Sequence, residues 1–264
     1  MRHGYDASRV TDSTAAIHAQ TAKVTVDDLR GLVADSSPRT LKDLERLSRV
    51  LTLNPQDVLV RQGEELALFV VLSGWLAVRR TNPEGRIYTL VLLRSGDIMG
   101  LASTWRADRS MFDIVALTAA SVASLPGRAV RSLAGRDAAL ALRLFDLAMS
   151  GSMEFEERLD QVYFDVARKR LARILLTYEP LISSPQPIIS RADLAGLIET
   201  SREMLGNAIR ALEAEGTVRR KGRQIAILRR AALEREAELE GQAGDQDRWF
   251  STWYERRPGR LRVS

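Results

Sequence analysis

An α+β chain is predicted: an antiparallel β-barrel or sandwich of short strands, then one long helix, then a winged helix-turn-helix. Three observations predict it. Between about 50 and 126, short apolar runs alternate with Gly- and Pro-containing turns. Between 128 and 164, apolar side chains recur at intervals of three, four or seven. Between 190 and 228, two short capped helical patterns run into a basic ribbon.

The totals narrow the field. A chain of 264 residues can hold two modest domains, each with its own core. The formal charge of +5 favours an acidic partner. Cysteine is absent, which removes disulfides, thiolate zinc sites and cysteine-ligated iron–sulfur clusters. Of the two histidines, His3 and His18 both lie in the polar N-terminal stretch and read as solvated tail residues. The longest apolar run, 66–78, is too short to span a bilayer and contains Ser73 and Gly74. The N-terminus lacks the pattern of a secretory signal, so a soluble cytoplasmic protein with no membrane association is expected.

Residues 1–40 form a polar extension with one short helix near 24–33, followed by a break at Ser36, Ser37 and Pro38. Leu41, Leu44 and Leu47 are a brief helical stripe leading into a strand-rich domain, 41–127. Its runs are VLV, LFVVL, LAV, IYTLVLL and IVALTAASVASLP. Asn82-Pro83-Glu84-Gly85 reads as a hairpin turn, because Pro fixes φ and Gly supplies freedom.

The long helix is assigned to 128–164. Leu142, Phe145, Met149, Ser152, Leu159 and Tyr163 form an imperfect coiled-coil seam, and a homodimer is expected from it. The winged helix-turn-helix domain is assigned to 165–230. Asp165 opens its first helix, RKRLARILLTY follows, and 183–187 is a loop. Ser190 with Asp193, and Thr200 with Glu203, resemble two capping boxes. Leu194, Leu197 and Ile198 give the first helix an apolar side; Leu205, Ala208, Ile209 and Leu212 do so for the second. Gly216 sits where a helix end tolerates positive φ. Residues 231–264 are a helical and basic extension. There Trp249 with Trp253 and Phe250 with Tyr254 form i,i+4 pairs, and Arg256, Arg257, Arg260 and Arg262 follow. That extension reads either as a docking tail or as an added DNA contact.

A helix-turn-helix lays the start of its second helix against base edges in the major groove. The side chains so placed are Ser201, Arg202, Glu203 and Asn207. Ser190, Thr200, Arg210, Arg219, Arg220, Lys221 and Arg223 are the candidates for the phosphate backbone. Between 201 and 230, eight basic residues stand against three acids, an excess equal to the charge of the whole chain. Such a local excess is what phosphate neutralisation requires.

Barrel, long helix and winged helix-turn-helix in this order resemble the Crp/Fnr superfamily of bacterial transcription regulators. The resemblance covers about 45–230. It rests on RQGEE before LFVVLSGWLAV, the turn from Ser95 to Gly100, Asp165-Val166 ahead of RLARILL, and TSRE at the start of the recognition helix. It implies a jelly-roll barrel of the cyclic-nucleotide-binding type, a homodimer joined by the long helix, a palindromic operator on double-stranded DNA, and RNA polymerase as a partner. By the same resemblance Arg202 would donate a forked pair to guanine O6 and N7, and Glu203 would accept from cytosine N4. The cyclic AMP receptor branch carries a second guanine-reading arginine one turn later. This chain has Asn207 there, which pairs best with adenine. Glu199 stands at a turn position where many relatives have Gly, and it would be strained if that position needs positive φ.

The resemblance also places an effector pocket at Gly100, Leu101, Arg109, Ser110, Glu154 and Phe155. Relatives that bind cyclic AMP carry Gly-Glu where this chain has Gly100-Leu101, and Leu cannot accept a hydroxyl hydrogen bond. Arg109-Ser110 matches the phosphate-holding pair, but its loop is about two residues shorter. The pocket therefore reads as degenerate for cyclic AMP. No cofactor is expected: cluster cysteines are absent, and so are barrel histidines for haem. Regulation without an effector, or through another ligand, stays open. An enzyme on the barrel is not expected, because metal-assisted barrels need His and carboxylate clusters and residues 50–126 contain no His. The alternative is a signalling or scaffold subunit that has lost specific DNA binding.

Overall fold

The computed structural model describes residues 18–20, 24–33, 35–65, 67–82, 85–106 and 109–238. The chain forms two compact units: Met1–Val78 with Leu93–Ala141, and Arg79–Leu92 with Leu142–Ser264. Among the described residues, no helix is long and apolar enough to cross a membrane. The aromatic and arginine cluster at 249–262 lies outside the described residues, as does His3.

The first unit is built from short antiparallel strands. In chain order it holds β1 (His18–Gln20), a 3-10 turn (Asp27–Leu29), α1 (Arg30–Val33), α2 (Pro38–Leu47), β2 (Arg49–Leu53), β3 (Val58–Val60) and β4 (Leu68–Ser73). Then follow β5 (Trp75–Thr81) and β6 (Ile87–Arg94), whose residues 79–92 belong to the second unit, and after them β7 (Ile98–Met99), α3 (Leu101–Arg106), β8 (Asp113–Ala116), β9 (Ala120–Leu125) and α4 (Gly127–Ala134). The strands form two open sheets, β1-β2-β9-β4-β7 and β3-β8-β5-β6, rather than one closed barrel. This is a jelly-roll arrangement, in which two sheets share one core. Leu68, Val70, Leu76, Ile114, Val122 and Leu125 fill that core and are almost fully buried.

Three details differ from the sequence reading. First, the polar stretch around His18 contributes an edge strand, with His18 opposite Thr52. Three residues are too few for a visible alternation. Second, the helix expected at 128–164 is two helices. α4 closes on Gly135, and α5 (Ala138–Phe164) begins again after Asp137. The Asp137 carboxylate accepts from the Leu140 amide (3.2 Å) and the Ser37 amide (2.9 Å), so it caps α5 and ties it to the start of α2. Hydrogen bonds from the Thr40 hydroxyl and from Ser37 hold its carboxyl far below the usual range. Third, Ser37 does more than mark a break: its hydroxyl accepts from the Thr40 amide and caps α2, with Pro38 at the first helical position.

The second unit contains the rest of α5, then α6 (Ala167–Thr177), α7 (Glu179–Ile182), α8 (Arg191–Leu197), α9 (Arg202–Ala214), β10 (Val218–Lys221), β11 (Gln224–Ile227) and α10 (Arg230–Glu238). Leu171, Leu175, Leu194, Leu205, Ile209, Leu212, Ile225 and Leu233 are its buried centre. Leu233 seats α10 on α6. Fully burying one such leucine contributes about 2 kcal/mol. Asp165 does not cap α6; the preceding residue of that helix is Val166, which has no capping side chain. Instead its carboxylate holds Lys169 (3.0 Å) and Arg173. Burial opposes the charge of Asp165, but these two cations outweigh it and keep its carboxyl below the usual range.

Candidate nucleic-acid interface

The turn between α8 and α9 is fixed from both sides. Ser190 accepts from the Asp193 amide (3.1 Å), and the Asp193 carboxylate accepts from the Ser190 amide (3.0 Å). The capping box expected there is complete. The second cap differs from expectation: Ser201, not Thr200, is the N-cap of α9, and its hydroxyl accepts from the Met204 amide (3.1 Å). Thr200 instead donates its amide to the Ala195 carbonyl (2.9 Å) inside the turn. Glu199 has φ of 50°, the left-handed conformation that the resemblance anticipated. Its carboxylate accepts from Arg158 on α5 (2.8 Å).

Helix α9 divides cleanly. Leu205, Ala208, Ile209 and Leu212 are buried on one side. Ser201, Arg202, Glu203, Asn207 and Arg210 are exposed on the other. Arg210 donates from Nη2 to the Asn207 Oδ1 three residues before it. Met204 is also exposed, at 53%, beside these polar groups. The sequence reading passed over Met204; it is visible as an apolar residue off the buried stripe. At the far end of α9, Gly216 has φ of 68°, as expected. Arg168 binds Glu215 there through two hydrogen bonds, both 2.6 Å, and also reaches Glu236 (2.7 Å).

The ribbon pairs Val218 with Ile227 and Lys221 with Gln224, leaving Gly222 and Arg223 as a two-residue turn. Gly222 carries the positive φ that such a turn requires at its first position. The four basic candidates on the ribbon are not equivalent. Arg220 is paired with Glu213 (3.2 Å), and Arg223 donates to the Pro187 carbonyl (3.3 Å). Arg219 and Lys221 are exposed. Arg191 donates to the Gly222 carbonyl (3.4 Å), which ties the ribbon's tip to the start of α8.

A hairpin arm from the strand-rich part of the chain braces α8. Residues 79–92 belong to the second unit. The Thr89 hydroxyl donates to Asp193 Oδ1 (2.5 Å), and Arg79 Nη2 donates to the same oxygen (3.1 Å). Burial opposes ionisation of Asp193, but hydrogen bonds from Ser190 and Thr89, with the charge of Arg79, outweigh it and lower its pKa. Gly196 lets the arm approach: a Cβ there would stand 2.7 Å from the Thr89 carbonyl oxygen.

The polar effector candidates on the first unit are engaged with the chain itself. Arg109 donates to the Gly63 carbonyl (2.8 Å). The Ser110 hydroxyl is buried and donates to the Phe112 carbonyl (2.6 Å). Gly100 has φ of 89° and admits the Ala67 carbonyl so closely that a Cβ would stand 2.2 Å from its oxygen. Leu101 opens α3 and is half-buried. Glu154 and Phe155 lie on α5 and are exposed. A concavity of about 460 Å³ on the first unit is lined by other residues: Thr52, Leu53, Asn54, Ser73, Ala119, Ala120 and Ser121.

The seam residues of α5 lie open to solvent. Leu142 is 65% exposed, Phe145 61%, Met149 45% and Leu159 39%. Ser152 is exposed among them. Met153 and Phe155 widen the apolar stripe on either side. Tyr163 continues the helix, and its side chain lies outside the described residues.

Comparison with known proteins matches both parts of the chain. Residues 50–137 match the cyclic nucleotide-binding domain family, and residues 169–236 match the Crp-like helix-turn-helix domain family. Over 168 residues the chain is 30% identical to the cyclic AMP receptor protein of Thermus thermophilus, covering 64% of this chain and 78% of that protein. Two solved structures share the fold. A transcriptional regulator of the CRP/FNR family from Thermus thermophilus superposes with a TM-score of 0.62 at 23% identity, covering 73% of this chain and 100% of that one. FixK2 from Bradyrhizobium japonicum gives 0.59 at 20% identity, covering 75% and 99%.

Proposed function

Because the chain belongs to the Crp/Fnr family of transcription regulators, we propose that it works as a homodimer which reads a palindromic operator, with a barrel pocket degenerate for cyclic AMP. The observation that carries the reading is α9, with one side buried and the other side presenting Arg202, Glu203, Asn207 and Arg210. On an operator, Arg202 donates a fork to guanine and Glu203 accepts from cytosine. Arg219 and Lys221 take flanking phosphates, with Arg220 and Arg223 as secondary contacts. Ser190, Ser201 and Thr200 act mainly by shaping the turn, since the first two have hydroxyls committed to helix caps.

Pairing of two copies along α5 is supported by its exposed Leu142, Phe145, Met149 and Leu159. An exposed apolar stripe of that size on one helix, although interrupted at Ser152, is costly to leave in water. Two-fold pairing then places two recognition helices on successive major grooves about one helical turn apart. RNA polymerase is the partner through which such a regulator acts.

The relative from Thermus thermophilus is named for cyclic AMP. In this chain Leu101 replaces the acceptor that a ribose hydroxyl needs, and Arg109 is engaged with Gly63. These features support regulation without an effector or through a different ligand. No cofactor and no catalysis are part of this reading.

The test is a gel shift against sites selected from random duplexes. Wild type enriches a symmetric site, and Arg202→Ala weakens that site by about 1–3 kcal/mol while nonspecific binding persists. An unchanged footprint for Arg202→Ala refutes the assignment. Isothermal titration with cyclic AMP is expected to show no micromolar binding.

A further inference from the structure

We infer that Asn207 and Arg210 act as one donor-only reader, which selects guanine rather than adenine at the operator position facing Asn207. The inference rests on the DNA-reading role proposed above. An asparagine reads adenine by using both ends of its amide: Oδ1 accepts from N6, and Nδ2 donates to N7. In this chain Oδ1 is already engaged, because Arg210 Nη2 donates to it. The identity of that amide oxygen follows from chemistry, since a guanidinium has five donors and no acceptor.

The consequence is an edge of one polarity. The amide turns its two Nδ2 hydrogens outward, and Arg210 adds the donors it has not spent on Asn207. Guanine presents two acceptors in the major groove, O6 and N7, and suits such an edge; adenine presents N6 as a donor and meets another donor there. Both residues are exposed and lie three apart on α9, on the same face as Arg202 and Glu203. Glu203 is the acidic group on that exposed face, and it stands one turn nearer the helix start. Asn207 stands five positions after Arg202, about 7.5 Å further along the helix, so the two side chains face different base pairs. The position read by the pair is therefore separate from the one read by Arg202. Arg210 on this account is a positioning residue for Asn207, not merely a phosphate clamp.

Selection from random duplexes with the full-length chain tests this, using wild type, Asn207→Ala and Arg210→Ala. Asn207→Ala identifies the position by erasing its preference. At that position wild type is expected to favour guanine over adenine by about fivefold or more. Arg210→Ala is expected to move the preference toward adenine, because the freed carbonyl can accept from N6, while positions read by Arg202 and Glu203 keep theirs. Circular dichroism of each variant checks that the fold is retained. The inference is overturned if wild type selects adenine, or if Asn207→Ala erases no preference. It is equally overturned if Arg210→Ala lowers binding at all sites alike, with a shallower salt dependence and an unaltered preference. That last result would mark a phosphate contact alone. If no sequence is enriched by wild type, the DNA-reading role itself fails and the pair falls with it.

Discussion

Replacing Asp193 with alanine tests the most heavily used carboxylate in the helix-turn-helix. It accepts from the Ser190 amide (3.0 Å), the Ser190 hydroxyl (2.6 Å), the Thr89 hydroxyl (2.5 Å) and Arg79 (3.1 Å). Losing its half of the capping box costs about 1 kcal/mol. Thr89 is only 1% exposed, so its stranded hydroxyl adds about 1–3 kcal/mol. These contributions share one site and do not simply add, so a total loss of about 2–4 kcal/mol is expected. In a unit of this size that lowers the melting temperature by about 8–15 °C. Differential scanning calorimetry measures it, and hydrogen exchange should show α8 and residues 85–92 loosening together. A loss below about 1 kcal/mol, or exchange confined to one of the two segments, would refute the reasoning.

The same residue carries a pH signature. Its folded pKa lies below the ordinary carboxyl value of 3.8. Its contribution is therefore complete above the unfolded carboxyl's pKa and is lost as pH falls through the lower folded value. Wild type should lose stability below about pH 4, and Asp193→Asn should lack that part of the decline.

Gly196→Ala forces a Cβ to within 2.7 Å of the Thr89 carbonyl oxygen and 2.8 Å of its amide nitrogen. Overpacking of about 1–3 kcal/mol should outweigh the helix-propensity gain of about 1 kcal/mol, and calorimetry showing a clear stabilisation would contradict the contact. At Glu199, asparagine tolerates the left-handed backbone, and the exposed pair with Arg158 is worth under about 1 kcal/mol. Glu199→Asn should therefore be near neutral in urea unfolding, whereas Glu199→Val, β-branched at a left-handed position and without the Arg158 pair, should be clearly less stable than wild type. Leu142→Glu combined with Phe145→Glu should shift sedimentation from dimer to monomer; an unchanged sedimentation coefficient would place any interface elsewhere.

Local rules make much of the second unit legible in the sequence. The Ser190 capping box, the split faces of α9, Gly216 and the ribbon all follow from spacing and turn chemistry in adjacent residues. Errors arise where two local solutions compete. Thr200 and Ser201 are both good caps, and only the tight turn at Glu199, which commits the Thr200 amide to Ala195, selects Ser201. The division of the long helix at Gly135 depends on Asp137 meeting Ser37, a hundred residues away, which no periodicity can reveal. Gly196 reads as an ordinary helix interior, yet its bare Cα is where Thr89 sits. The pairing of Asn207 with Arg210 is hidden for another reason: an i,i+3 spacing allows the contact without fixing which atom faces which.

The central claim is that a paired chain lays two α9 helices on successive major grooves. Binding should be measured on the selected site and on the same site with about half a helical turn inserted between its halves. The account predicts that the insertion removes at least about 2 kcal/mol of affinity, because the second recognition helix then faces the wrong side of the duplex. Equal affinity for the two duplexes would contradict it.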